Sequence, residues 1–218
     1  MLTLTAAPPV PPDAAYAPLR ITAAQFAANA EAGVYPPGRK VELLDGVVVL
    51  RDARARSSDP PSDVGPQHSL LTKRARKILE PLAEAAGAIY RDSEPVLLPP
   101  YNGPQPDGAI VAGTDEDYAH RQPESGDVLL LLEVADSSYR NDSTTKVRIY
   151  AETGVPVYWL LRVPTRTLEV FTDPDPAAGV YRALATLTAA DAAAVPLPGG
   201  AAELPLADLL GGPADPLG

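Results

Sequence analysis

The stretch "DVLLLLEVADSSYRNDSTTK", residues 127–146, constrains the fold most. Leu129 to Leu132 form an unbroken apolar run without alternation. Such a run reads as the middle of a buried strand. Glu133 follows directly, with Asp136, Asp142 and Lys146 close behind. A carboxylate at the end of a buried strand is costly unless a cation or a hydrogen-bond donor meets it. The strand therefore demands a sheet to bury it and a partner or a metal for Glu133.

The rest of the chain can supply both. "ITAAQFAANAEAG" predicts a short helix, with Thr22 as its N-cap and Gly33 as its stop. "KVELLDGVVVL" predicts a hairpin turning at Asp45-Gly46. "RDARARSSDPPSDVGPQ" reads as a loop. From His68, apolar residues at 70, 71, 75, 78, 79 and 82 have helical spacing, with Gly87 as the stop and Pro81 expected to kink or tighten the helix. "AIYRDSEPVLLP" reads as a strand region, "YNGPQP" as a turn and "DGAIVAG" as a short strand. Residues 113–126 form a polar loop. After the leucine-rich strand, Asp142 or Ser143 is placed to cap a helix running to Thr153, with Gly154 just past its end. "VPVYWLLRV" and "TLEVFT" form a further strand pair. The order predicts a mixed α/β (α+β) domain around one central sheet. Residues 1–18 read as a disordered Pro/Ala-rich arm, 19–173 as the main domain, and 174–218 as an Ala/Pro/Gly-rich extension packing on it, with a weak amphipathic end at "LPLADLL".

Composition narrows function. The 218 residues include no cysteine, which removes disulfides, thiol nucleophiles and cysteine-based zinc sites. The N-terminus has neither a basic start nor an apolar core of a signal peptide, and no apolar run reaches membrane-spanning length. A soluble, cytoplasmic protein is expected. The net charge of −10 argues against coating nucleic acid by bulk charge, yet it leaves room for a cluster of metal-binding acids. No Gly-rich dinucleotide fingerprint, Walker loop, HExxH or GxSxG occurs.

Asp107 opens the short strand after Pro106, Glu133 closes the leucine-rich strand, and Lys146 lies in the helix that follows. Tyr150 is four residues beyond Lys146 and shares its face. Two carboxylates at neighbouring strand ends make a hard oxygen site suited to Mg²⁺ or Mn²⁺. A nearby ammonium could orient a water or stabilise developing charge. The same residues also fit a plain structural reading: Asp107 as a turn residue, Glu133 at an edge, Lys146 solvated and paired with Asp142. Glu42 is either a third acid of the site or half of a hairpin salt bridge. His68 fits a site contact or an ordinary residue near a helix start, and His120 an exposed loop. Asp142 fits a helix cap that also orients Lys146. Lys73, Arg74, Arg76 and Lys77 read first as a solvated helix face, and secondarily as phosphate contacts. Trp159 reads as core.

Pro106-Asp107, then "LLLLEVADSS", then "ND…K…Y…TGVPVYWLL" together resemble the Uma-type restriction endonuclease family, within the PD-(D/E)XK nuclease superfamily. The opening helix, the Glu-Leu-x-Asp-Gly hairpin holding Glu42, His68 at the start of the long helix, and "LPLADLL" resemble it too, so the likeness spans residues 19–211. It implies a restriction-endonuclease-like mixed sheet flanked by helices. It also implies a metal-dependent DNA endonuclease, with Asp107 and Glu133 binding Mg²⁺ or Mn²⁺ and Lys146 assisting. The superfamily's usual lysine stands two residues after the acid, where this chain has Ala135, and Lys146 matches the helix lysine that substitutes for it. Asp136-Ser137-Ser138 also departs from the family's common Ser-Pro-Ser or Ser-Pro-Thr. A homodimer suits duplex cleavage. Rival expectations are a catalytically inactive nuclease-like module binding nucleic acid or protein, and a nuclease acting on RNA or structured DNA.

Overall fold

The computed structural model describes residues 19–50 and 65–211. The arm predicted over 1–18 and most of the loop predicted after the first hairpin lie outside these residues.

A six-stranded mixed sheet runs β3 (Ala88–Asp92), β4 (Gly108–Ala112), β5 (Val128–Ala135), β6 (Val157–Arg162), β7 (Thr167–Asp175) and β8 (Val180–Leu187), paired in that order. All pairs are antiparallel except β5 with β6. That parallel pair requires a crossover, and the helical segment carrying Lys146 provides it. β5 is the leucine-rich strand and lies inside the sheet. Leu130, Leu132 and Val134 pack on one face and Leu131 and Ala135 on the other. Burial on both sides explains why the run does not alternate.

The first face is covered by α2 (Pro66–Ala85), by a separate hairpin of β9 (Ala192–Leu197) and β10 (Gly200–Pro205), and by α5 (Ala207–Leu210). The second face meets Ile149 and Tyr150 of α4 (Val147–Glu152). A smaller unit joins α1 (Ala23–Glu31) to the hairpin of β1 (Val41–Leu44) and β2 (Val47–Leu50) around Phe26 and Leu43. Thr22 caps α1 in a reciprocal box with Gln25. The turn has Asp45 at φ 52° and Gly46 at φ 76°, the two left-handed residues of a tight hairpin turn. Reciprocal bonds between Leu43 and Gly103 tie this hairpin to the segment leading into β4.

Three local expectations differ. α2 begins at Pro66 rather than His68, because a proline at the first helical position has no N–H to waste. Pro81 lies inside the helix without ending it, on the solvent side. The helical segment after β5 starts at Tyr139, as α3 (Tyr139–Asn141), and reaches α4 through a π turn over Asp142–Lys146. Asp142 and Ser143 are therefore inside a helical turn, and neither is the N-cap expected of them; Asp142 instead ends α3 as its C-cap residue. From residue 174 to 211 the Ala/Pro/Gly-rich sequence forms the end of β7, the edge strand β8, the β9–β10 hairpin and α5, and the rest of the predicted extension, 212–218, lies outside the described residues.

Candidate active site

β5 presents Glu133 to the same face as Leu131 and Ala135, toward α4. The carboxylate is fully buried and accepts two hydrogen bonds on Oε1. Lys146 Nζ donates at 2.7 Å and the Tyr150 hydroxyl at 3.1 Å. The four-residue separation of the two donors brings both to one oxygen, as helical geometry requires. Lys146 also donates to Glu42 Oε1 at 3.1 Å, and Asp142 Oδ1 stands 3.6 Å from the same ammonium. The π turn widens the helix by one residue, and both Asp142 and Lys146 are buried there. Glu42 comes from β1 and is held further by the backbone N–H of Gln105 at 2.8 Å.

Asp107 sits just ahead of β4, the strand next to β5. Its Oδ2 accepts the Val134 N–H at 2.9 Å and lies 3.1 Å from His68 Nε2. The acid is thus held against the residue following Glu133. His68 projects from the first turn of α2, and the Thr72 hydroxyl lies 3.4 Å from its Nδ1. Gly108 follows Asp107 for a steric reason: a Cβ there would overlap the Tyr90 hydroxyl.

The structure brings Glu42, Glu133, Lys146 and Tyr150 into one bonded cluster, and joins Asp107 and His68 to it through Val134. Gln105, Thr72 and the buried position of Asp142 were not foreseen. Only the Asp142–Lys146 spacing carried any signal. His120 is exposed in its loop, and Trp159 is fully buried in the core.

Charge is the unusual property of this cluster. Glu42, Asp107, Glu133 and Asp142 are each at most 2% exposed, and Lys146 is the one buried ammonium among the described residues. Asp142 Oδ2 is buried and has no hydrogen-bond partner among the described residues. Among the described residues the buried carboxylates thus outnumber the buried ammonium, and each needs a hydrogen bond or a cation to offset its burial. Burial, followed by the nearby Glu133 charge, pushes the Tyr150 phenol well above the ordinary tyrosine range, and Tyr158 likewise. Tyr150 is thereby kept a neutral hydrogen-bond donor to Glu133.

A divalent cation fits this donor set. Among the described residues no three of His, Asp and Glu converge as a closed cage. Mg²⁺ seldom uses one. It takes one or two carboxylates and fills its remaining positions with water and substrate phosphate.

A mixed sheet with acids on two adjacent strands, and a lysine reaching one of them from the crossover helix, defines the class: a restriction-endonuclease-like fold. A family model described as "Putative restriction endonuclease" (Uma2) matches residues 24–207, and the chain belongs to that family. Among solved structures, the crystal structure of "a putative nuclease belonging to DUF820" from Anabaena variabilis has the same fold, with a TM-score of 0.60. The match covers 87% of this chain and 97% of that one, at 14% identity. No curated protein matches the sequence.

Proposed function

We propose that the protein is a metal-dependent endonuclease that hydrolyses phosphodiester bonds in DNA. The observation that carries the reading is the cluster of buried carboxylates, three of them (Glu42, Glu133 and Asp142) around the single Lys146 ammonium and Asp107 held beside them through Val134. Family membership and the fold of the Anabaena protein support it.

Asp107 and Glu133 would hold Mg²⁺ or Mn²⁺. Bound there, the ion supplies a water of lowered pKa and neutralises charge on the phosphoryl group. The chain's own residues do the positioning. The Val134 N–H and His68 fix Asp107. Lys146 and Tyr150 hold Glu133 through one oxygen. The ammonium also keeps Glu42 and Glu133 together despite their like charge. The apolar packing of Leu131, Ile149 and Tyr158 behind Glu133 keeps bulk water off that side and strengthens each of these interactions. Cutting both strands of a duplex suits a homodimer with two sites related by a two-fold axis.

The test is plasmid cleavage across a Mg²⁺ and Mn²⁺ titration, with RNA and single-stranded DNA in parallel. Cleavage should require the metal and disappear in Asp107→Asn and Lys146→Ala variants that remain folded. Cleavage that persists in Asp107→Asn, or metal-independent cleavage, refutes the assignment. The rival, a nuclease-like binding module, draws on Ala135 standing where the superfamily keeps its lysine. DNA binding without any metal-dependent cutting is its signature.

A further inference from the structure

Among the described residues, most arginines are matched to carboxylates. Arg76 pairs with Glu80 and Asp92, Arg121 with Asp127, Arg148 with Asp45 and Glu152, and Arg182 with Asp173 and Asp175. Arg74 and Arg166 are different, and unlike Arg140, which is exposed, they are half-buried and lie together. Neither has a carboxylate within ion-pair distance among the described residues, in a chain with ten more acids than bases. Arg166 sits in the turn between β6 and β7 at φ 51° and donates Nη1 to the Leu210 carbonyl at 2.8 Å and Nη2 to Gln67 Oε1 at 2.6 Å. Arg74 Nη1 is buried and has no acceptor among the described residues. The two groups meet at Gly211, where a Cβ would stand 2.8 Å from Arg74 Nη1 and 3.5 Å from Arg166 Nη1.

Two guanidinium groups gathered without a counter-charge among the described residues, one with an unanswered N–H, form a notch for an anion. We propose that the notch formed by Arg74, Arg166 and Gly211 binds a backbone phosphate of the nucleic-acid substrate, flanking the bond that is cut. The proposal rests on the nuclease reading for the identity of its ligand.

Its position suits that ligand. Arg166 is anchored on Gln67, and the next residue, His68, touches Asp107. The first turn of α2 therefore links notch and acid cluster. Gln67 and Arg74 are seven residues apart, hence on one helix face and about 10 Å apart along the axis. No acidic residue occupies that first turn. Lys77, exposed one turn beyond Arg74, continues the cationic line. An overall negative protein gains from such local basic points, because they offset repulsion of the substrate where contact is made. Guanidinium suits a phosphate better than ammonium does, since its fork can donate two parallel hydrogen bonds.

The experiment is binding of a short fluorescent DNA duplex with Ca²⁺ in place of Mg²⁺, followed by anisotropy over a range of salt. Neutralising one phosphate contributes about 0.9 to the slope of log K against log salt. The double variant Arg74→Gln/Arg166→Gln should lose about that much slope, and each single variant no more. Arg74→Lys should retain most of it, and Arg182→Gln, remote on β8, all of it. Thermal melting checks that each variant folds. Unchanged slope and affinity in the folded double variant overturn the notch, as does a wild type that binds no duplex. A wild type that binds through Arg74 and Arg166 yet never cuts supports the notch and removes the nuclease reading. Cleavage by a wild type whose binding ignores both arginines does the reverse.

Discussion

Replacing Lys146 by methionine isolates the charge balance of the cluster. Methionine keeps most of the apolar stem and removes the ammonium. Glu133 then loses its 2.7 Å partner, Glu42 its 3.1 Å partner, and Asp142 the cation at 3.6 Å, while all three carboxylates stay buried. Breaking one buried pair by removing a single partner costs about 3–5 kcal/mol. That is a large share of the roughly 5–15 kcal/mol that holds a domain together. At about 2–4 °C per kcal/mol for a chain of this size, melting should fall by roughly 6–20 °C. Differential scanning calorimetry in EDTA near neutral pH measures it. Adding Glu133→Gln to the variant should recover part of the loss, because one orphaned charge is gone. Mg²⁺ should raise the melting temperature of Lys146→Met more than that of wild type, since a divalent ion takes over the missing positive charge. A variant melting within about 2 °C of wild type in EDTA, under 1 kcal/mol by the same conversion, would refute the claim that Lys146 balances this site.

Three other outcomes follow from the geometry. Tyr150 and Tyr158 have phenols raised by burial, so above about pH 10 the unfolded chain releases protons that the folded chain keeps. Their contribution is complete below that pH, and stability should then fall by up to about 1.4 kcal/mol per pH unit for each tyrosine. Urea melts with tyrosinate absorbance read it, and all nine tyrosines ionising together near pH 10 in a folded chain would contradict it. Gly108→Ala drives a methyl into Tyr90 and should cost about 1–3 kcal/mol, with Tyr90→Phe restoring part by removing the nearest atom. A thermal melt unchanged by Gly108→Ala counts against that packing. Thr22→Ala removes the cap of α1 and should cost about 1 kcal/mol in the same assay while leaving any cleavage intact, and a loss of cleavage would place the α1 unit in the site.

The parts of the fold legible in the sequence are those fixed by local chemistry. The turn at Asp45-Gly46 needs two left-handed residues, and Thr22 and Gln25 cap one another across a single turn. The unbroken leucines of β5 announce a buried strand. Residues 180–205 lacked such signals. Their strands are rich in alanine and proline, and β8 is largely exposed, so they are set by pairing with β7 and by docking on the sheet rather than by their own preference. The site divides in the same way. Glu133, Lys146 and Tyr150 are near neighbours in sequence, and helical spacing brings the last two together. Gln105 supports Glu42 from 63 positions away, and the notch at Gly211 joins three distant segments. No periodicity carries such partnerships. The π turn is equally silent, because a one-residue widening of a helix depends on what its inner face must reach.

That turn bears on why the lysine lies at 146. Position 135 points to the same face as Glu133, so a lysine there would extend beside the acid. Ala135 is instead fully buried among Ile149, Tyr150 and Tyr158, in space already occupied by aromatic packing. Tyr150 and Tyr158 meet edge to face with ring centroids 4.9 Å apart, and Tyr158 bonds the Asp142 carbonyl at 3.2 Å. The rings therefore hold the turn that delivers Lys146. Moving the lysine back to the strand, as Ala135→Lys/Lys146→Ala, should fail. The longer side chain would overpack the cluster at about 1–3 kcal/mol and displace Tyr150 from Glu133. The double variant should melt below Lys146→Ala alone and recover no metal-dependent cleavage. Recovery of either would show that the strand position remains open to a lysine. In that case the choice of the helix would rest on something other than packing.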